Sequence, residues 1–137
     1  IKYPKTETAD EVRALDALSL VLAILAAAVS QALLGASPGR FWVVMGALTL
    51  FFAAFNYLEA RLPALLTLAA PGSERGAALG IFATAQFLGA FSGGAVGGLL
   101  LGRYGLPGVF WGAAAVAGLW AVVAAAPAAT ANAVERA

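Results

Sequence analysis

The stretch that decides the fold is residues 41–70, "FWVVMGALTLFFAAFNYLEARLPALLTLAA". Its only charged residues are Glu59 and Arg61, and most of the others are apolar. The hydrocarbon core of a bilayer is about 30 Å thick, and a helix of roughly 20 apolar residues crosses it. Residues 41–70 exceed that length, so they predict a transmembrane helix that tilts or extends beyond the core.

The composition of the whole chain supports a membrane protein. Of its 137 residues, 62% are hydrophobic and only 11% are charged, whereas about a quarter of the residues in a soluble domain are charged. The net charge of +1 argues against a nucleic-acid partner, which requires a clustered basic face. Cysteine and histidine are absent, so we expect no metal site, no cofactor and no enzymatic activity.

Four apolar blocks lie along the chain, at about 17–36, 41–70, 76–102 and 109–129. The sequences between them, "SPGR", "PGSER" and "RYGLPG", are rich in the Pro and Gly residues that form tight turns. Because a segment in lipid must satisfy its own backbone hydrogen bonds, each block predicts a helix. The fold class is therefore all-α membrane with four transmembrane helices, a polar cytoplasmic segment at 1–16 and a cytoplasmic tail at 130–137.

Positive charge predicts the orientation of these helices. An even number of spans places both termini and the 71–75 turn on one side. Basic residues outside the spans number five on that side and two on the other: Lys2, Lys5, Arg13, Arg75 and Arg136, against Arg40 and Arg103. The positive-inside rule then predicts cytoplasmic termini. Trp42 and Trp111 fall near the opposite face, where aromatic rings favour the interface.

Glycines recur every four residues in the third block, and five of them are candidates for helix packing: Gly89, Gly93, Gly94, Gly97 and Gly98. Each glycine costs a helix interior about 1 kcal/mol relative to alanine, so their number requires an explanation. Spacing by four places them on one face, where another backbone can approach closely. Two interpretations stay open: ordinary tight packing in a bundle, or a smooth face that slides against a partner during transport.

The second block carries polar side chains inside an apolar segment. Asn56 and Glu59 are three residues apart, so they face nearly the same side of a helix. An acid in or near hydrocarbon is paired, protonated or directed at a wet cavity. Glu59 is therefore either a structural partner of a neighbouring helix or loop, or a proton-linked or gating carboxylate. Asn56 is a candidate for lining the substrate cavity.

Arg61 and Asp16 have simpler interpretations. Arg61 points about 200° away from Glu59 around the helix and lies near the cytoplasmic boundary. We interpret it as an anchor whose charge reaches water, with a buried ion pair as the alternative. Asp16 lies at the cytoplasmic start of the first block, where an acidic side chain favours a helix N-terminus.

Gln86 and Thr84 are the main polar residues of the third block before its dense glycine stretch. For Gln86 an interhelical hydrogen bond and a contact with substrate are both open. Together with Asn56, these two residues form the predicted polar lining of a substrate cavity.

The order of motifs in residues 55–124 resembles a known family of transporters. These motifs are "FNYLEARLP" at 55–63, Arg75–Gly76 after a short turn, "QFLGAFSGG" at 86–94 and "GVF" at 108–110. Their order resembles the major facilitator superfamily and, within it, the YajR-like branch of bacterial efflux-type carriers. The resemblance implies a twelve-helix fold of two six-helix halves, in which this chain supplies helices nine to twelve, the C-terminal third. It also implies that "FNYLEARLP" faces the cavity or its inner gate, and that the glycine face meets a helix of the other half.

The leading hypothesis is a fragment of a secondary active transporter that moves a small solute by alternating access, in a proton-coupled efflux. Its expected partners are the lipid bilayer, the missing N-terminal helices of the same transporter and a small-molecule substrate that the sequence does not identify. Its expected location is the inner (cytoplasmic) membrane, as a multi-pass protein. Two alternatives stay open: a small four-helix multidrug transporter that acts as a dimer, and a non-transporting membrane assembly subunit.

Overall fold

The computed structural model describes the backbone of residues 7–37 and 39–134, and the side chains of residues 14–37 and 39–126. This part of the chain forms three helices: α1 (Glu7–Ala36), α2 (Phe41–Ala69) and α3 (Arg75–Val134). The prediction of an all-α fold is confirmed. Residues 1–6 of the predicted polar segment and residues 135–137 of the predicted tail lie outside the described residues.

Each helix contains a stretch that is long and apolar enough to cross a membrane: Ala14–Ala36, Phe41–Ala69 and Arg75–Ala126. Helix α1 begins at Glu7, so it extends beyond the apolar block predicted at 17–36. The third stretch is 52 residues long, more than twice the roughly 20 residues that a bilayer core requires.

The two turns between the helices follow from their Gly and Pro residues. After α1, Gly39 has a φ of +88°, a conformation that glycine adopts without steric strain. After α2, Ala70 is extended, with φ −79° and ψ 139°. Ala70 precedes Pro71, whose ring disfavours the helical conformation for the residue before it. Pro71 therefore ends α2 where the sequence places the "PGSER" turn.

Helix α3 is interrupted at one residue, Gly105, whose φ of 69° and ψ of −171° are non-helical. A Cβ built on Gly112 would lie 2.7 Å from the Cδ1 atom of Leu100, and one on Gly97 would lie 4.0 Å from the Cγ1 atom of Val109. Residues twelve apart in a straight helix are separated by about 18 Å. The chain therefore reverses direction at Gly105, and the helical segments on its two sides pack against each other between residues 97–100 and 109–112.

The described chain has three helices where the sequence predicts four, because the break in α3 is confined to one residue. The predicted "RYGLPG" turn contracts to a single non-helical residue, and helical backbone continues on both sides of it. Glycine is required at position 105, because backbone angles near these φ and ψ values are accessible essentially only to glycine.

Helix α1 forms the centre of the bundle and contacts both α2 and α3, whereas α2 and α3 touch each other far less. The core is a cluster of Ile24, Leu58 and Ala121, one from each helix. At the other end of α1, a Cβ on Gly35 would lie 3.0 Å from the ring of Trp111. Ile24 is thus paired with Ala121 and Gly35 with Trp111, so α1 runs antiparallel to residues 106–134.

Candidate functional site

The segment Tyr57–Arg61 of α2 makes polar contacts with two neighbouring helical segments. On the side of α1, the Tyr57 hydroxyl donates to the Ser19 Oγ atom at 2.6 Å, and the Arg61 guanidinium donates to the Asp16 carboxylate. On the side of α3, Glu59 accepts a hydrogen bond from Gln86. One turn of α2 therefore connects all three helices.

The Glu59 and Gln86 side chains form a direct interhelical pair. The Gln86 Nε2 atom donates to the Glu59 Oε1 atom at 2.8 Å, and both side chains are exposed in the described chain. A carboxylate has two oxygens that can accept several hydrogen bonds. Among the contacts between described residues, only Oε1 accepts one, so the second oxygen is available to another group.

The pair lies at the wall of an open cleft of about 540 Å³ between α2 and both parts of α3. Helix α2 contributes Phe55, Leu58, Glu59 and Leu62. Helix α3 contributes Phe82, Ala85, Gln86 and Gly89 before Gly105, and Trp120 after it. We call this cavity the Glu59 cleft. A largely apolar cavity with a few polar groups and a volume of roughly 300–1,000 Å³ is typical of small-molecule sites.

The other two predicted lining residues do not join this cleft. The Asn56 Nδ2 atom donates to the Phe52 carbonyl of its own helix at 2.7 Å. The Thr84 Oγ1 atom donates to the Gly80 carbonyl at 2.9 Å, and Thr84 lines a second open cleft of about 530 Å³ along α3. Of the predicted lining residues, the structure brings Gln86 to Glu59 and leaves Asn56 and Thr84 bonded within their own helices.

For Arg61 the structure favours the ion-pair alternative over the anchor, and for Asp16 the interpretation is wrong. Arg61 pairs with Asp16, and both side chains are partly exposed, at 34% and 28%. Asp16 does not belong to the first turn of a helix, because α1 begins at Glu7. Its charge instead compensates that of Arg61, and the Ser19 hydroxyl donates to the Asp16 carbonyl beside it at 2.8 Å.

Sequence reasoning did not identify Asp16 as the partner of Arg61, although the sequence contains a signal for it. Two antiparallel helices with the same rise per residue place positions equally distant from their turn at the same depth. Asp16 is 21 residues before Ser37, and Arg61 is 21 residues after Arg40. The same reasoning applies to the next turn, since Glu59 precedes Pro71 by 12 residues and Gln86 follows Glu74 by 12.

The candidate packing glycines form an open surface. A Cβ built on Gly89, Gly93, Gly94 or Gly98 would meet no described atom within 4 Å, and one on Gly97 would meet only Val109, at 4.0 Å. Large apolar side chains beside them are also exposed, including Phe87 at 76% and Phe91 at 78%. We call this surface of α3 the glycine face. Its predicted role in helix packing stays a prediction.

The described residues contain no group of three or more His, Cys, Asp or Glu side chains that could hold a metal ion. What the geometry provides instead is one acid with a neutral amide partner beside an aromatic cavity. That combination suits the recognition of a small molecule or the binding of a proton.

Comparison with known proteins gives two relatives. Residues of this chain are 38% identical over 96 positions to the inner membrane transport protein YajR of Escherichia coli strain K12. The match covers 70% of this chain and 21% of YajR. The chain is homologous to part of a membrane transport protein. A second match, 42% identical over 53 residues, is to an uncharacterized transporter of Buchnera aphidicola, and it covers 39% of this chain and 14% of that protein.

The chain therefore spans about a fifth or less of the length of the curated relatives it matches. No family model matches it, and no solved structure does. Homology to an inner membrane transporter, together with three helices that can span a bilayer, supports a multi-pass protein of the inner membrane.

Proposed function

We propose that this chain is the C-terminal third of a secondary active transporter of the major facilitator superfamily, in its YajR-like branch, and that it takes part in proton-coupled efflux of a small solute. The observation that carries the proposal is the Glu59–Gln86 pair at the wall of a cleft between α2 and both parts of α3. Homology to two proteins named as transporters supports it.

In this proposal α3 crosses the membrane twice, so that the chain supplies helices nine to twelve of a twelve-helix fold. The reversal at Gly105 supports two spans, because each part of α3 is about 30 residues long and reaches roughly 45 Å at 1.5 Å per residue. Trp111 packs on Gly35, next to the turn that Trp42 follows. Both rings therefore belong to one end of the bundle, which supports an interface there and cytoplasmic termini at the other end.

The remaining helices of the same transporter are the proposed partner of the glycine face. Small residues let helix backbones approach closely in lipid, where packing drives association. The described residues leave this face uncovered, and the matched relatives are several times longer than the segment they share with this chain. Alternating access between the two halves of the transporter would then move solute past Glu59.

Glu59 is the proposed proton carrier. The other acids whose side chains the structure describes are Asp16, which is paired with Arg61, and Glu74, which is exposed in the turn after α2. Glu59 has only the neutral Gln86 amide as a partner among the described side chains. Charge near hydrocarbon is costly, so binding a proton is a direct way to neutralise this carboxylate when the cleft is sealed from water.

A flux measurement on the intact protein tests this proposal. Proteoliposomes under an imposed pH gradient are assayed with amphipathic dyes, neutral N-phenyl-1-naphthylamine and cationic ethidium. We expect gradient-driven movement of at least one dye, and a reduction of about tenfold or more in the Glu59→Gln variant, as is typical for the loss of one proton-transfer group. The Glu74→Gln variant removes the same charge outside the cleft and serves as the matched control.

The outcomes separate the parts of the proposal. Unchanged gradient-driven movement in Glu59→Gln would remove Glu59 from the coupling mechanism. If neither dye moved with the unaltered protein, proton-coupled efflux of amphipathic solutes would be the wrong function.

A further inference from the structure

The charge of Glu59 has no cationic partner among the described side chains. Arg61 is only two residues away, but it faces α1 and is paired with Asp16. The other basic residues with described side chains, Arg40, Arg75 and Arg103, lie at or beside the ends of the helical segments. Among these side chains nothing compensates an ionised Glu59 at this largely apolar wall, a situation that a bound cation relieves.

The rest of the cleft favours one kind of cation. Three aromatic side chains line it, Phe55 from α2 and Phe82 and Trp120 from the two parts of α3. Phe51 stacks on Phe55 with ring centroids 5.8 Å apart, which supports that wall. Aromatic faces attract cations, and tryptophan does so most strongly. A metal ion would need several oxygen ligands, whereas the aromatic and aliphatic walls suit a cation with apolar substituents.

We propose that the Glu59 cleft binds an organic cation with apolar or aromatic substituents. This inference rests on the proposed function, since the cation would be the solute that the transporter moves. The free Glu59 oxygen supplies the counter-charge, Gln86 holds the other oxygen, and Trp120 faces the cation together with the two phenylalanines. The volume of about 540 Å³ sets the size class as that of a drug-sized molecule.

Equilibrium binding of radiolabelled tetraphenylphosphonium to the purified intact protein in detergent tests the inference. Tetraphenylborate has the same shape and the opposite charge, so it is the matched competitor. We expect saturable binding of tetraphenylphosphonium that excess unlabelled cation displaces. Tetraphenylborate should be a weaker competitor than unlabelled tetraphenylphosphonium by about tenfold or more. It can make the same apolar contacts, but Glu59 would repel its negative charge.

Four variants assign the binding to the cleft. Glu59→Gln should weaken tetraphenylphosphonium binding about tenfold or more, while Glu74→Gln should leave it unchanged. Trp120→Leu should weaken it by roughly three- to tenfold, and Trp120→Phe by less, since the phenyl ring retains part of the cation–π attraction. Normal binding in Glu74→Gln and residual binding in Trp120→Phe show that these two variants fold.

Equal affinity of the unaltered protein and Glu59→Gln for tetraphenylphosphonium, or equal displacement by tetraphenylborate, would overturn the inference. So would a complete lack of binding, which would mean that other helices fill the cleft in the intact protein. These results leave the proposed function standing if gradient-driven movement of N-phenyl-1-naphthylamine still depends on Glu59. Glu59-dependent binding without movement of any dye would instead refute the transport proposal alone.

Discussion

Glu59 and Arg61 belong to the same turn of α2, yet they contact different helices. A helix advances about 100° per residue, so two residues that are two positions apart lie on nearly opposite sides of the helix. Arg61 reaches α1 and Asp16, whereas Glu59 reaches α3 and Gln86. An acid and a base that are neighbours in sequence therefore contact different helices instead of each other.

The Asp16–Arg61 pair should stabilise the contact between α1 and α2. Removing either partner leaves the other charge without its ion pair at the α1–α2 contact, so we expect Asp16→Asn and Arg61→Gln each to lower the stability by about 1 kcal/mol, the upper range for a partly exposed pair. The double variant should lose less than the sum of the two. Thermal unfolding of the intact protein in detergent measures all three.

Glu74→Gln, an exposed acid outside the bundle, is the control for that series. A double-mutant cycle with no coupling energy between Asp16 and Arg61 would show that the pair contributes nothing to the α1–α2 contact.

At the level of elements, the reversal inside α3 depends on a single residue. Gly105 has backbone angles of φ 69° and ψ −171°, a region that other residues enter only at a cost of about 1–3 kcal/mol. The neighbouring Gly102 is helical and has no described atom within 4 Å of a built Cβ. The two glycines are only three residues apart, but the backbone conformation requires glycine at position 105 and does not require it at position 102.

Gly105→Ala should therefore destabilise the intact protein by about 1–3 kcal/mol, while Gly102→Ala should be neutral or stabilising by up to about 1 kcal/mol because alanine favours a helix. Unfolding midpoints of the two variants, measured side by side, give the comparison. Equal midpoints would mean that the chain reverses by some other means than the conformation of Gly105.

At the level of the whole molecule, the prominent feature is an apolar surface that the described residues leave uncovered. The glycine face of α3 is smooth and flanked by exposed Phe87 and Phe91. A surface of this kind faces either lipid or another helix. Small residues are enriched where helices pack in membranes, and this enrichment is the reason to propose the remaining helices of the transporter as its partner.

Substitutions of increasing size at Gly93 distinguish these two surroundings. Gly93→Ala should be tolerated, and Gly93→Leu should destabilise the intact protein by about 1–3 kcal/mol, because extra methylene groups overpack a close helix contact. No described atom lies within 4 Å of a Cβ built on Gly93, so such a loss would come from contacts outside the described residues. A Gly93→Leu variant that is as stable as Gly93→Ala would place the face in lipid.

The sequence by itself determined the membrane class, the helical conformation and the positions of the turns, because these depend on local composition and on Pro and Gly. It also contained the depth of each polar residue, since a constant rise along antiparallel helices brings Glu59 level with Gln86 and Asp16 level with Arg61. Only the tertiary structure decided which of these residues meet. The rotation of each helix about its own axis depends on the helices packed against it, which the local sequence does not specify. In the structure this rotation places Arg61 toward α1 and Glu59 toward α3.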